Sequence, residues 1–410
     1  MTPIRARAGG VVALAALLWL QVAPGAAAEW PQWLGPERNG RSPETGLLKS
    51  WPADGPREVW RRPGGLGYSG MAVAGGRLFT IAGRGDGEEV VCLDAGTGAP
   101  LWRQRIDTIF RERMGGDGPR STPVVAGDRL FVLSSRGKLY CLSSGDGSTI
   151  WKRDFVEEFD SQVQQFGYSS SPLVDGQNLL VDVGGHGDSA LGAFGISDGQ
   201  MVWTSQGDKT AYGSPIIIES GGVRQAVFFT AEGPVALAPA TGGLLWRHPW
   251  ITQYDINVAT PVFVPPDGIF ISSGYDHGAA LLRLQPGGAG VDLVWEERVM
   301  KNQMATSILH EGHLYGFDDG MLKCIEAATG EMRWRVRGLG RGTLIYADGH
   351  LLILGEGGQL VLAAASPVAY RERARVQKMG PKCWTIPSLA SGRLYLRDER
   401  HIVCLDLRGS

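Results

Sequence analysis

The chain has 410 residues, 43% hydrophobic and 20% charged, with a formal net charge of −2. That length can bury a large core, as two ordinary domains or one large all-β domain, and a charge so close to zero leaves no electrostatic footprint for nucleic acid. The 60 glycines are about twice the usual share of roughly 7%, which in a non-collagenous chain points to many tight turns and short strands.

Residues 1–28 read as a secretory leader. Arg5 and Arg7 precede the apolar run Val11 to Val22, and Ala26, Ala27 and Ala28 form a small-residue cleavage site with the cut expected after Ala28. The run is shorter than the roughly 18 to 20 apolar residues of a membrane span, and no later segment is long and apolar enough to cross. The expectation is export to the periplasm or beyond, and a monomer without a membrane span. Losing the two arginines takes the net charge from −2 to −4.

Residues 29–56 form an extended N-terminal segment, and 57–410 carry a repeat. An aromatic residue recurs at Trp60, Trp102, Trp151, Trp203, Trp246, Trp295 and Trp334, with Tyr370 as a substitute. Each follows a Gly-rich turn, as in "DAGTGAPLW" and "ATGEMRW", at spacings in or near the range of propeller blades. Four apolar runs fill each repeat, the strand and hairpin pattern. The last repeat ends at "IVCLDLRGS" without a fourth run, and "EVWRR" near the N-terminus is a fourth run without a repeat. Pairing the two predicts an all-β, eight-bladed propeller of four-stranded antiparallel blades, its ring closed by the N-terminal strand. The tryptophans are expected to dock blade on blade, donating their indole N–H groups to backbone carbonyls. Cys92, Cys141, Cys324 and Cys404 fall at one equivalent third-strand position, and Cys383 is placed on an inner strand. Equivalent positions in separate blades exceed the roughly 7 Å reach of a disulfide, so five buried thiols are expected.

The run D-A-x-T-G-x-x-x-W resembles the repeat of the pyrroloquinoline-quinone (PQQ) propeller superfamily. That superfamily includes quinoprotein alcohol dehydrogenases and the propeller subunit of the outer-membrane β-barrel assembly machinery. "EWPQWLGPERNGRSPETGLLKSWPADGP" resembles the leader of secreted bacterial members. The dehydrogenase resemblance implies an adjacent cysteine pair over the quinone and a calcium-type ion held by Glu, Asn and Asp. This chain has no such pair, and no such ligand set is evident. The assembly subunit's lipid-bearing N-terminal cysteine is missing as well. The reading is a non-catalytic binding or scaffold module with no cofactor or metal, the alternative being a minimal PQQ- and calcium-dependent oxidoreductase of an alcohol or sugar.

Propellers bind ligands at the mouth of the channel, where inner strands begin. The residues there are Tyr68, Arg120, Tyr168, Tyr212, Trp250, Asn257, Gln303, Arg341 and Trp384, an aromatic and polar rim suited to a small carbohydrate-like ligand or a protein partner. Asp255 is the one carboxylate nominated as a general base, against a turn-capping role. "HEGH", His310 to His313, lacks the spacing of a helical zinc site. The connections 110–120 and 155–168 are longer than ordinary blade links, and the second has helical apolar spacing.

Overall fold

Blade one shows how the repeat folds. Its strands are Ala72–Ala74, Arg77–Arg84, Gly87–Asp94 and Pro100–Thr108, paired in that order, each antiparallel to the next. The middle two are buried on both faces, as their unbroken apolar runs require. The outer strand alternates and carries Arg103 and Arg105 to solvent, while Asp107 is buried against Lys138 and Ser134 of the next blade. The computed structural model describes residues 28–409; the expected leader lies outside the described residues apart from Ala28. Residues 124–154, 173–205, 216–247, 262–297, 308–336 and 343–377 form blades two to seven. Blade eight combines Ser388–Ala390, Arg393–Arg397 and His401–Asp406 with the N-terminal strand Glu58–Pro63, in which Trp60 faces Cys404. The short helix Phe155–Phe159 follows blade two, capped by the Asp154 carboxylate.

The tryptophans explain why the Gly-rich turn recurs. Trp60 donates its indole N–H to Ala95 O at 3.0 Å in blade one, and Trp102, Trp151, Trp203, Trp295 and Trp334 reach carbonyls of their next blades in the same way. The turn that supplies the carbonyl also presents a glycine to the ring. A Cβ at Gly98 would stand 2.6 Å from Trp60, and one at Gly147 2.5 Å from Trp102. Both glycines have positive φ, 69° and 77°, so close approach and backbone conformation demand the same residue. Trp246 differs: it donates to the Gln225 side chain at 2.6 Å, and the next blade replaces the usual turn with the 3-10 turn Pro286–Gly288.

Two sequence expectations need correction. Tyr370 is not the eighth docking aromatic. Trp102 pairs in register with Cys92 and Trp334 with Cys324, but in blade seven the matching Leu362 pairs with Ala374. Tyr370 sits four residues earlier, before the strand Glu372–Gln377, its ring 5.6 Å from Trp334. Trp51 of the N-terminal segment packs on the same core cluster as Ala374 and Val376. Cys383 lies not on an inner strand but in the connection before Ser388–Ala390, its Sγ 3.2 Å from Gly380 O. All five cysteines are free and buried, and burial pushes the Cys141 thiol up to about 11 and the other four to about 12.

Hydroxyls ahead of the inner strands stitch the ring. Ser69 Oγ donates to Ser121 O (2.7 Å), Thr122 N to Ser171 Oγ (2.9 Å), Ser171 N to Ser214 Oγ (2.9 Å) and Thr260 N to Thr306 Oγ1 (3.0 Å). Each bond joins neighbouring blades, so the small polar clusters satisfy the inner backbone.

The first-to-second and third-to-fourth turns emerge on one face, and the N-terminal segment crosses it. Trp30 exchanges backbone bonds with Val73 of blade one, and Pro31 O accepts from Val125 of blade two. Arg38 is fully buried and donates to Ser171 O, Pro172 O and Pro215 O ahead of blades three and four. Trp33 Nε1 donates to Thr260 Oγ1 ahead of blade five, and Arg41 to Leu309 O of blade six. Ser42 N then bonds Tyr346 O of blade seven and Leu48 N bonds Leu407 O after blade eight. This strap touches every blade before it supplies the closing strand.

Candidate functional site

The opposite face carries the blade-to-blade connections and the second-to-third turns, and no strap crosses it. On it an arc of rings and charges runs from blade to blade. Trp384 donates to Glu356 Oε1 at 2.9 Å, and its ring lies 4.9 Å from that of Tyr68. The Tyr68 hydroxyl is 2.6 Å from Glu399 Oε1 and 2.9 Å from Gly115 O. Arg120 comes next, its guanidinium 5.7 Å from the Tyr68 ring centre and 6.0 Å from that of Phe166. Phe166 meets Tyr212 edge to face at 5.6 Å.

The long connections build this arc. In 110–120, Glu112 accepts the backbone N–H groups of Met114, Gly115 and Gly116 and stands 3.6 Å from Arg120. Arg120 in turn donates to Gly116 O at 2.8 Å and Gly118 O at 3.1 Å. Burial pulls the Arg120 guanidinium below its ordinary value, with Glu112 opposing. Burial first, then the bond to Glu399, holds the Tyr68 hydroxyl above the ordinary tyrosine range, and burial pushes that of Tyr212 up to about 12. Both therefore stay protonated donors at neutral pH. The arc brings together rings, neutral hydroxyls, one guanidinium and the carboxylates of Glu112, Glu356 and Glu399.

Of the sequence-nominated residues, Tyr68, Arg120, Tyr212 and Trp384 come together here. Arg341 adjoins the end of the arc through its backbone N, 3.1 Å from Glu356 Oε2, with its side chain in solvent. Tyr168 points into the core, its hydroxyl on Val183 O at 2.8 Å and its ring against Phe155. Trp250 is buried, bonded to Ser273 Oγ at 3.0 Å. Asn257 is buried beneath it, holding Thr230 O at 2.8 Å. Gln303 packs beside Gly274. Asp255 stands at the surface, 3.2 Å from Lys209 Nζ, in a residue with φ of 56°.

The sequence points to Tyr254, close to Trp250, Asp255 and Asn257 in the connection before blade five, but does not single out Phe166, Glu112, Glu356 and Glu399, nor the other apolar side chains exposed on this face. Met114 is 77% exposed, Ile251 66%, Tyr254 58% and Tyr275 37%. Gln165 of the second long connection reaches Met114 Sδ at 3.1 Å, and Tyr254 and Tyr275 meet at 5.4 Å. The rings of the arc meet in two tilted or edge-to-face pairs, Tyr68 with Trp384 and Phe166 with Tyr212, with Arg120 between them. A cavity of about 370 Å³ opens on the strap face, at the seam of blades eight and one, lined by Glu29, Asp94, Arg393, Tyr395 and Arg408 among others. Among the described residues, no three His, Cys, Asp or Glu side chains converge as a metal-ligand set.

Comparison with known proteins gives the same architecture. A family profile described as outer membrane protein assembly factor BamB matches residues 45–115 and 108–336. The crystal structure of BamB from Moraxella catarrhalis superposes with a TM-score of 0.60 at 16% identity, over 86% of this chain and 98% of that one. The quinohemoprotein alcohol dehydrogenase ADHIIG from Pseudomonas putida HK5 gives 0.62 at 10% identity, over 93% and 81%. The computationally designed Ika8 protein gives 0.59 at 11%, over 85% and 98%. No curated protein sequence matches the chain.

Proposed function

The chain belongs to the PQQ-like β-propeller family of the outer membrane protein assembly factor BamB, and on that premise we propose that it is a non-catalytic binding or scaffold module, acting outside the cytoplasm, that docks a protein partner on its loop face. The observation that carries the reading is the exposed Met114, Ile251, Tyr254 and Tyr275 beside the Tyr68–Arg120–Phe166–Tyr212 arc. Aromatic residues, Met and Arg are enriched at the cores of protein interfaces. The Arg5–Arg7 start and the apolar run before Ala28 support export, and no described helix is long and apolar enough to cross a membrane.

Two observations weigh against the alternative, a PQQ- and calcium-dependent oxidoreductase: Tyr68 and Trp384 pack on each other at one mouth, and the strap crosses the other. The test has two arms. Protein mixed with PQQ and calcium and then desalted should retain no quinone absorbance; retention with dye reduction by an alcohol or aldose overturns the non-catalytic reading. A photo-crosslinking residue at Tyr254 should capture a partner from cell-envelope extract, and that adduct should vanish when Met114 and Tyr275 become serine. An adduct indifferent to both substitutions refutes the loop-face site.

A further inference from the structure

The outer strands of the blades differ sharply in charge. Blade five ends in Val291–Glu297, VDLVWEE, with Asp292, Glu296 and Glu297 exposed. Blade six, its neighbour, ends in Met332–Val336, MRWRV, with Arg333, Arg335 and the following Arg337 exposed. Within the described chain Arg333 only approaches Glu331, at 3.9 Å, and Asp292 accepts from Gln285 at 2.8 Å. No ion pair joins the two strands among the described residues. Charges on a sheet edge can simply discourage aggregation, yet the outer strand of blade three, Met201–Ser205, carries none. Edge protection is not applied blade by blade, and it does not explain why three acids stand beside three arginines.

We propose that these edges bind a second copy of this chain, the acidic edge of blade five meeting the basic edge of blade six of the other copy, twice, about a two-fold axis parallel to the axis of the ring. The pattern selects that axis. All outer strands occupy the same place in their sheets and run in the same sense. A two-fold axis parallel to the ring axis sets blade five against blade six on both sides, with the facing strands parallel. A two-fold axis across the ring sets five against five and six against six, like charge on like. The contact is therefore isologous and closes as a dimer, with no free edge left to extend it. The exposed Leu293 and Met332 lie on the same two strands and supply apolar contact between the charged pairs. Solvent-facing charges screened over about 10 Å at 0.1 M salt make the dimer salt-sensitive.

Sedimentation of the full secreted chain tests this. The wild type should form a dimer at about 20 mM salt that weakens roughly tenfold or more by 300 mM. One variant carries Arg333→Glu, Arg335→Glu and Arg337→Glu; the other carries Asp292→Lys, Glu296→Lys and Glu297→Lys. Each alone should be monomeric, with like charges on both edges. Mixed in equal amounts they should form a heterodimer, since each edge again finds its opposite. A wild type that stays monomeric at low salt up to 0.5 mM on the order of protein overturns the proposal. So does a dimer that persists in either variant, or a mixture that remains monomeric while both variants melt like the wild type.

Discussion

Two buried ionisable groups, one toward each face of the ring, are held differently. On the strap face Arg38 donates to three main-chain carbonyls and approaches Gln32 Oε1 at 3.2 Å. Its acceptors come from inner-strand starts that the strap was built to meet. On the loop face Asp182, at the end of the strand Asn178–Asp182, is buried in a crevice with Tyr168, Ser169, Ser170 and Thr210 and has no cationic partner among the described residues. Burial raises its carboxyl to about 7, with the Ser170 hydroxyl opposing. Arg38 is satisfied by carbonyls that its own chain supplies, whereas Asp182 has hydroxyls beside it and no cation among the described residues. That contrast separates a contact made by the strap from a titratable group left among the loops.

Removing the strap is the harshest way to break it. A chain beginning at Pro63 loses Trp60 and most of the closing strand as well as Arg38. A buried tryptophan alone is worth about 3 to 5 kcal/mol, so thermal melts should show aggregation or a fall in Tm of more than about 10 °C relative to a chain beginning at Glu29. Equal melting temperatures would mean that the strand contributes nothing to the ring. Arg38→Ala is milder. It strands the carbonyls of Ser171, Pro172 and Pro215 in the interior, so urea titration should show a loss of about 2 to 4 kcal/mol, with partner capture at the loop face unchanged.

Asp182→Asn should act in the opposite direction and only in one pH window. Because the folded carboxyl titrates near 7 and its ordinary value is 3.8, the folded state binds more protons between those values. The wild type is then relatively stabilised below about pH 4 and loses that contribution as pH rises through about 7. The amide should raise Tm at pH 8, leave it unchanged at pH 4, and flatten the slope between; a slope surviving in the variant assigns it to another group. Smallest in stability are Met114→Ser and Tyr254→Ser, expected within about 0.5 kcal/mol of wild type by urea titration. A larger loss would mean that these side chains support the fold and do not merely face a partner.

Particular residues show where sequence reasoning succeeded and where it stopped. The eight blades and the closing strand were readable because six of the seven tryptophans make the same contact with the next blade, so one physical demand is written six times. Blade seven broke the pattern, and Tyr370 was matched in place of Ala374, because the strap's Trp51 packs on the cluster that a blade tryptophan would cover. A contact supplied from more than 300 positions away leaves no local trace. In the candidate site, Tyr168 and Tyr212 stand in nearly the same repeat context, "GYSSSP" and "AYGSP". Tyr168 turns inward because the helix Phe155–Phe159 gives it Phe155 to pack against. Tyr212 instead meets Phe166 on the outside. Connections have no period of two or 3.6, so the direction of their side chains is set by neighbours that sequence does not place. The ring-stitching role of the hydroxyls of Ser69, Ser171, Ser214 and Thr306 needed the geometry.

The seam at blade eight makes the finished ring a gauge of chain length. Arg57 and Asp406, 2.7 Å apart, are separated by 349 positions, and closing a loop of that size costs about 5 kcal/mol of chain entropy before any contact returns it. The last blade is therefore the slowest to assemble. A chain released a few residues early, lacking His401–Asp406, carries seven complete sheets beside an open wedge with the apolar sides of blades seven and one bare. Such a product is set apart from the finished protein by exposed surface and unpaired strand edges, the features that proteases and chaperones recognise.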